Sequence, residues 1–98
     1  MSAKLEELLL RRLIEAENAG SPLTHRQLGM ETRGSTFEDL WAEMSIVVIG
    51  QERNLSCVVG PDSQYIASAY GKWKIAKLDA ERQGKPVPPP PPSQTVFL

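Results

Sequence analysis

The spacing of the apolar residues changes once, at Met44, and that change constrains the fold more than any other feature of the chain. Before it, Phe37, Leu40, Trp41 and Met44 fall at i, i+3, i+4 and i+7, one apolar helical stripe. After it come Ser45-Ile46-Val47-Val48-Ile49 and Leu55-Ser56-Cys57-Val58-Val59, β-branched runs of strand length joined by Gly50-Gln51-Glu52-Arg53-Asn54. These runs read as a β-hairpin that follows a helix, so the expected class is α+β.

Upstream, residues 3–18 place Leu5, Leu8, Leu9, Leu13 and Ala16 on one face, widened by Leu10 and Ile14, with Glu7 four residues before Arg11 in the favourable order. Ser2 is a candidate N-cap. Asn18-Ala19-Gly20 followed by Ser21-Pro22 supplies a left-handed residue and a breaker for the C-terminus. A second, short helix starts at Thr24, which has capping-box spacing to Gln27, with Leu23 and Leu28 placed as a hydrophobic staple. Gly29 to Gly34 then read as a turn, and Ser35 with Glu38 repeats the capping box to launch the third helix.

Downstream, Gly60-Pro61-Asp62-Ser63 is a breaker followed by cap-type residues. From Gln64 to Arg82, Ile66, Ala69, Tyr70, Trp73 and Ala76 recur at helical spacing. A fourth helix is expected there, although Tyr65 to Tyr70 also has the β propensity of a third strand, and Gly71 costs a helix about 1 kcal/mol relative to Ala. Pro86 and the run Pro88 to Pro92 exclude helix and interior strand and favour a polyproline II rod. The chain thus divides into a domain over residues 1–83 and a proline-rich tail over 84–98: three N-terminal helices, a hairpin, a C-terminal helix and the tail. Lys85, Pro88 and Pro91 have the spacing of a basic proline-rich ligand, and Val96-Phe97-Leu98 ends the tail on apolar residues.

With 98 residues, 41% of them apolar, there is material for one domain with one core. The net charge is −1, and it is polarised: residues 31–44 carry −3 and residues 71–85 carry +3. A globally cationic nucleic-acid binder is thereby excluded, whereas a local basic patch is not. The single cysteine, Cys57, forms no internal disulfide and no Cys/His spacing resembles a zinc site. With neither a cleavable leader nor an apolar run of membrane length, the expected location is cytoplasmic and no membrane partner is expected. His25 reads as an exposed residue at a helix start, and Gly29, Gly34 and Gly50 are isolated, so no phosphate loop and no catalytic constellation is evident. No enzymatic activity, cofactor or metal is expected.

In element order, residues 5–60 resemble a winged helix-turn-helix domain: a helix, a capped helix, a Gly-containing turn, a second capped helix and a hairpin. The resemblance implies a small DNA-binding regulator whose third helix enters the major groove and whose hairpin loop is the wing. It would place Thr24, His25 and Arg26 at phosphate, Arg33, Ser35 and Thr36 at the groove and Arg53 on the wing. Lys72, Lys74 and Lys77, with Arg82 nearby, would add contacts from helix four. A homodimer formed through helix one or helix four would double the footprint on double-stranded DNA. The alternative is a protein-interaction module that uses the acidic face of helix three, Glu38, Asp39 and Glu43, together with Phe97 and Leu98 of the tail.

Overall fold

The computed structural model describes residues 3–52 and 58–92. Helix α1 spans Ala3–Asn18, α2 His25–Leu28, a 3-10 turn Gly29–Arg33, and α3 Ser35–Ala42. Strand β1 (Ile46–Val48) pairs antiparallel with β2 (Tyr65–Ala67), and α4 spans Ala69–Gln83. Among the described residues the architecture is α+β: four helices and a two-stranded antiparallel hairpin around one core.

The core is built from one face of each element. Leu9, Leu10 and Leu13 of α1 meet Leu28, Phe37 and Leu40, then Ile46, Val48, Tyr65 and Ala67 of the sheet and Ile75 of α4. Tyr65 anchors an aromatic cluster, edge-on to Phe37 at 5.1 Å and to Trp41 at 5.8 Å between centroids. Such edge-to-face pairs add about 0.5–1.5 kcal/mol each beyond area burial. Leu5 and Leu8, counted on the apolar face of α1, are instead about half exposed (54% and 49%) and line a cleft with Thr36 and Phe37.

In the described hairpin the first of the two β-branched runs has a partner other than the one expected. Ile46, Val47 and Val48 lie opposite Ala67, Ile66 and Tyr65. Most of the 55–59 run lies outside the described residues, and its described members, Val58 and Val59, are irregular backbone. Pairing with Tyr65–Ala67 buries both Tyr65 and Ala67, which alternate with half-buried Ile66. The fourth helix accordingly begins at Ala69 and not at Gln64, with Ser68 as its N-cap: the Ser68 hydroxyl accepts from Gly71 N–H. An isolated antiparallel bridge joins Thr24 to Gln64, and Tyr65 N–H donates to Leu23 carbonyl at 2.9 Å. The segment between α1 and α2 therefore borders β2 on the side away from β1.

Helix ends follow local chemistry with two exceptions. The Thr24/Gln27 capping box is formed in both directions, and the N–H groups of His25 and Arg26 donate to the Ser63 and Pro61 carbonyls, so the loop before β2 finishes capping α2. Gly20, at φ +82, closes α1 with Ser21 N–H on Ala16 carbonyl, as Gly84 closes α4 with Lys85 N–H on Ala80 carbonyl. At α3 the expected cap is displaced: Gly34 in extended conformation is the N-cap, with no side-chain bond, and Ser35 is already the first helical residue. Met44, expected on the α3 stripe, lies beyond the helix end at φ +61, where Ser45 N–H reaches Leu40 carbonyl at 2.8 Å.

Candidate nucleic-acid interface

The α2–α3 corner is rigid at its base because Leu28, Phe37 and Leu40 are all buried in the core. Its outer surface carries the residues that would meet a ligand. Thr24 is held by its own cap, its hydroxyl accepting Gln27 N–H at 3.1 Å. His25 Nδ1 sits 2.9 Å from the Tyr65 hydroxyl, which fixes the ring toward the sheet. Arg26 is exposed and only loosely paired with Asp62, at 3.5 Å. Arg33, at the end of the 3-10 turn, is exposed and has no carboxylate within ion-pair distance among the described residues. Ser35 is exposed at the first position of α3, and Thr36 is half-buried beside the Leu5 and Leu8 cleft. Arg26, Arg33 and Ser35 are thus exposed along the α2–α3 segment, whereas Thr36 is half-buried.

The basic face expected on α4 is largely engaged by carboxylates of the fold, although Lys72 and Arg82 stay exposed. Lys72 pairs with Glu17 at 3.0 Å, and Lys74 reaches Glu6 at 3.4 Å and Glu43 at 2.5 Å. Burial pulls the Lys74 ammonium down, but the Glu43 hydrogen bond and the charges of Glu43 and Glu6 outweigh it, so its pKa lies above the ordinary lysine value. Arg82 binds both oxygens of Glu7, at 2.7 and 2.8 Å, while Arg11 bridges Glu7 and Asp79 at 3.0 and 2.6 Å. The hydrogen bonds from Arg82 and Arg11 hold the Glu7 carboxyl at about 2, and Glu7 in turn raises Arg82. Lys77 lies over the Trp73 ring, 5.5 Å from its centroid. The carboxylate partners on α1 have no signature in sequence, since only the register of α4 against α1 decides which charges meet.

The acidic set divides in the same way. Glu43 accepts from the Ser45 hydroxyl as well as from Lys74, so it is engaged within the fold. Glu38 and Asp39 are exposed on α3 and have no ion-pair partner among the described residues. The connection between β1 and β2 is pinned at its described flanks: Gln51 exchanges side-chain hydrogen bonds with the backbone of Val58, and Glu52 accepts Gly50 N–H at 2.9 Å. That bond lowers the Glu52 pKa. Arg53 in this connection, and Phe97 and Leu98 in the tail, lie outside the described residues.

Among the described residues no three His, Cys, Asp or Glu side chains are grouped to hold a metal ion, and no helix is long and apolar enough to cross a membrane. Comparison with family models, curated proteins and solved structures gives no match to this chain.

Proposed function

We propose that this chain is a small non-enzymatic regulatory protein of winged helix-turn-helix type that binds double-stranded DNA through its α2–α3 corner. The observation that supports this most is strand order. The segment at Thr24 borders β2, which borders β1, and β1 leads directly out of α3. A winged helix has this arrangement, with α3 as the recognition helix and residues 49–64 as the wing. The proposed footprint is Arg26, Arg33, Ser35 and Thr36, with Arg53 on the wing; Lys72 and Lys74, which already hold carboxylates, are outside it.

Two or three phosphate contacts per protomer give a salt slope of roughly −2 to −3 in log affinity against log salt. Fluorescence anisotropy of a labelled duplex at several salt concentrations measures that slope. Arg26→Ala together with Arg33→Ala is expected to weaken binding by about 10-fold or more; unchanged affinity would remove the DNA reading. Glu38→Gln and Asp39→Asn are expected to strengthen binding several-fold, because each removes a carboxylate from the surface facing polyanion.

A protein ligand is the second reading, favoured by the exposed carboxylates Glu38 and Asp39 on α3 and by the cleft that Leu5, Leu8 and Phe37 line together with the Arg12–Glu31 ion pair. Exposed carboxylates suit a basic partner segment, and an apolar cleft suits an amphipathic helix. It predicts no duplex binding at low salt and no response of DNA affinity to the Glu38 and Asp39 substitutions.

A further inference from the structure

The described part of the tail, as far as Pro92, stays against the domain. Gly84, at φ +68, reverses the chain at the end of α4, and Trp73 Nε1–H then donates to the Pro88 carbonyl at 2.8 Å. Trp73 is stacked with Tyr70 at 5.6 Å between centroids, which makes a two-ring aromatic pair on α4 whose Trp73 edge meets the tail. Along the tail, Pro88 and Pro91 are half-buried whereas Pro86, Pro89, Pro90 and Pro92 are exposed. A spacing of three is the repeat of a polyproline II rod, so a single edge of such a rod would lie against the domain.

We infer that the Tyr70–Trp73 face of α4 is a polyproline-recognition site for a proline-rich peptide of a partner protein, and that the chain's own tail fills it as a tethered ligand. The chemistry is that of polyproline readers generally. Proline has no N–H, so its segment offers only carbonyl oxygens, and an indole N–H is a donor that accepts nothing in return. Flat aromatic rings cover the ridged proline surface, and the rod enters already ordered, which lowers the entropy cost of binding. The Lys77 ammonium lies over the Trp73 ring. None of Tyr70, Trp73, Pro88 and Pro91 belongs to the proposed DNA footprint, so the two readings stand or fall separately.

A tethered ligand competes with a free one. The apparent Kd for an external peptide is the intrinsic Kd plus the effective concentration of the tail, which for so short a tether is on the order of millimolar. The test uses full-length ¹⁵N-labelled protein and a synthetic peptide of residues 85–92, Lys-Pro-Val-followed by five Pro, with the Trp73 indole resonance as readout. In the natural chain saturation is expected only above about 1 mM peptide. In a full-length chain with Pro86 and Pro88 to Pro92 replaced by Ser, the same peptide is expected to saturate at a concentration at least about 10-fold lower. Adding Trp73→Phe to that chain keeps a ring and removes the donor; binding, followed on α4 backbone amides, is expected to weaken about 10-fold. Equal affinity of the natural and Ser-substituted chains, no Trp73 shift at about 5 mM peptide in the substituted chain, or indifference to Trp73→Phe would each overturn the site. Unchanged dispersion of the Leu10 and Leu40 methyl resonances shows that every variant retains the fold.

Discussion

At the scale of single residues, close approach decides more than propensity does. Gly71 looks like a liability in a helix, where exchange for Ala ordinarily gains up to about 1 kcal/mol. In the structure a Cβ at Gly71 would lie 2.4 Å from the Ser45 carbonyl oxygen and 3.2 Å from Leu10 Cδ2. Backbone cannot yield as a side chain can, so Gly71→Ala is expected to destabilise by about 1–3 kcal/mol. A urea midpoint equal to that of the natural chain would show that α4 and the start of β1 do not touch there. Glu7 makes a second residue-scale case. Its pKa is held at about 2 by Arg82 first and Arg11 second, against an ordinary 4.5. A carboxyl with a lowered folded pKa contributes stability that is complete above 4.5 and is lost as pH falls through about 2. Glu7→Gln is therefore expected to be less stable than the natural chain at neutral pH and to show a shallower loss of stability between pH 4.5 and about 2. Parallel pH curves for the two proteins would contradict the assigned pairing. The sequence shows the Glu7–Arg11 pair by its spacing of four, but not Arg82, which comes from 75 residues away.

At the scale of elements, the contrast between Thr24 and Ser68 separates what can be read locally from what cannot. Thr24 with Gln27 is a complete local signal, and the capping box forms as the spacing implies. Ser68 caps a fifteen-residue helix, but Asp62 and Ser63 present similar chemistry upstream, and from Gln64 onward the helical spacing competes with the β propensity of Tyr65 to Tyr70. The choice is made by β1, whose partner Tyr65–Ala67 is distant in sequence. Ser68 is buried, and its hydroxyl donates to Met44 carbonyl at 2.6 Å while accepting Gly71 N–H at 3.1 Å, so it joins the α3 end to the α4 start. Ser68→Ala is expected to cost about 1–2 kcal/mol, by loss of the cap and of the Met44 bond. Thr24→Ala, at a four-residue helix whose first N–H groups are also held by Pro61 and Ser63, is expected to cost no more than about 1 kcal/mol. Equal costs for the two, measured by urea denaturation, would mean that α2 depends on its cap as much as α4 does. The helix C-termini show the same division: Gly20 and Gly84 mark their positions in sequence, whereas Met44 occupies the left-handed position against its own preference.

At the scale of the whole molecule, the polarised charge visible in the sequence is largely a statement about internal packing. Glu6, Glu7 and Glu17 of α1 face Lys74, Arg82 and Lys72 of α4, so the cations that looked ready for phosphate neutralise the neighbouring helix. What remains outward on the proposed interface is Arg26 and Arg33 against Glu38 and Asp39, a balance that composition alone could not resolve. The division at Gly84 has a related consequence for stability. Among the described residues no member of the buried core lies beyond Ile75, and of the apolar residues packed against it the last is Leu78. Among the described residues the tail meets the domain through the Lys85–Ala80 and Trp73–Pro88 hydrogen bonds and a half-buried proline edge. Because the denaturant slope follows the area exposed on unfolding, a chain ending at Gly84 is expected to unfold in one transition with nearly the same slope as the full chain. Its stability is expected to fall by about 1–3 kcal/mol, the net worth of the Trp73–Pro88 and Lys85–Ala80 hydrogen bonds together. A loss well above that, or a broadened transition, would make the tail a structural element of the domain. A small loss leaves the tail free to be exchanged, because a ligand that contributes little to folding can leave without unfolding the site it covers.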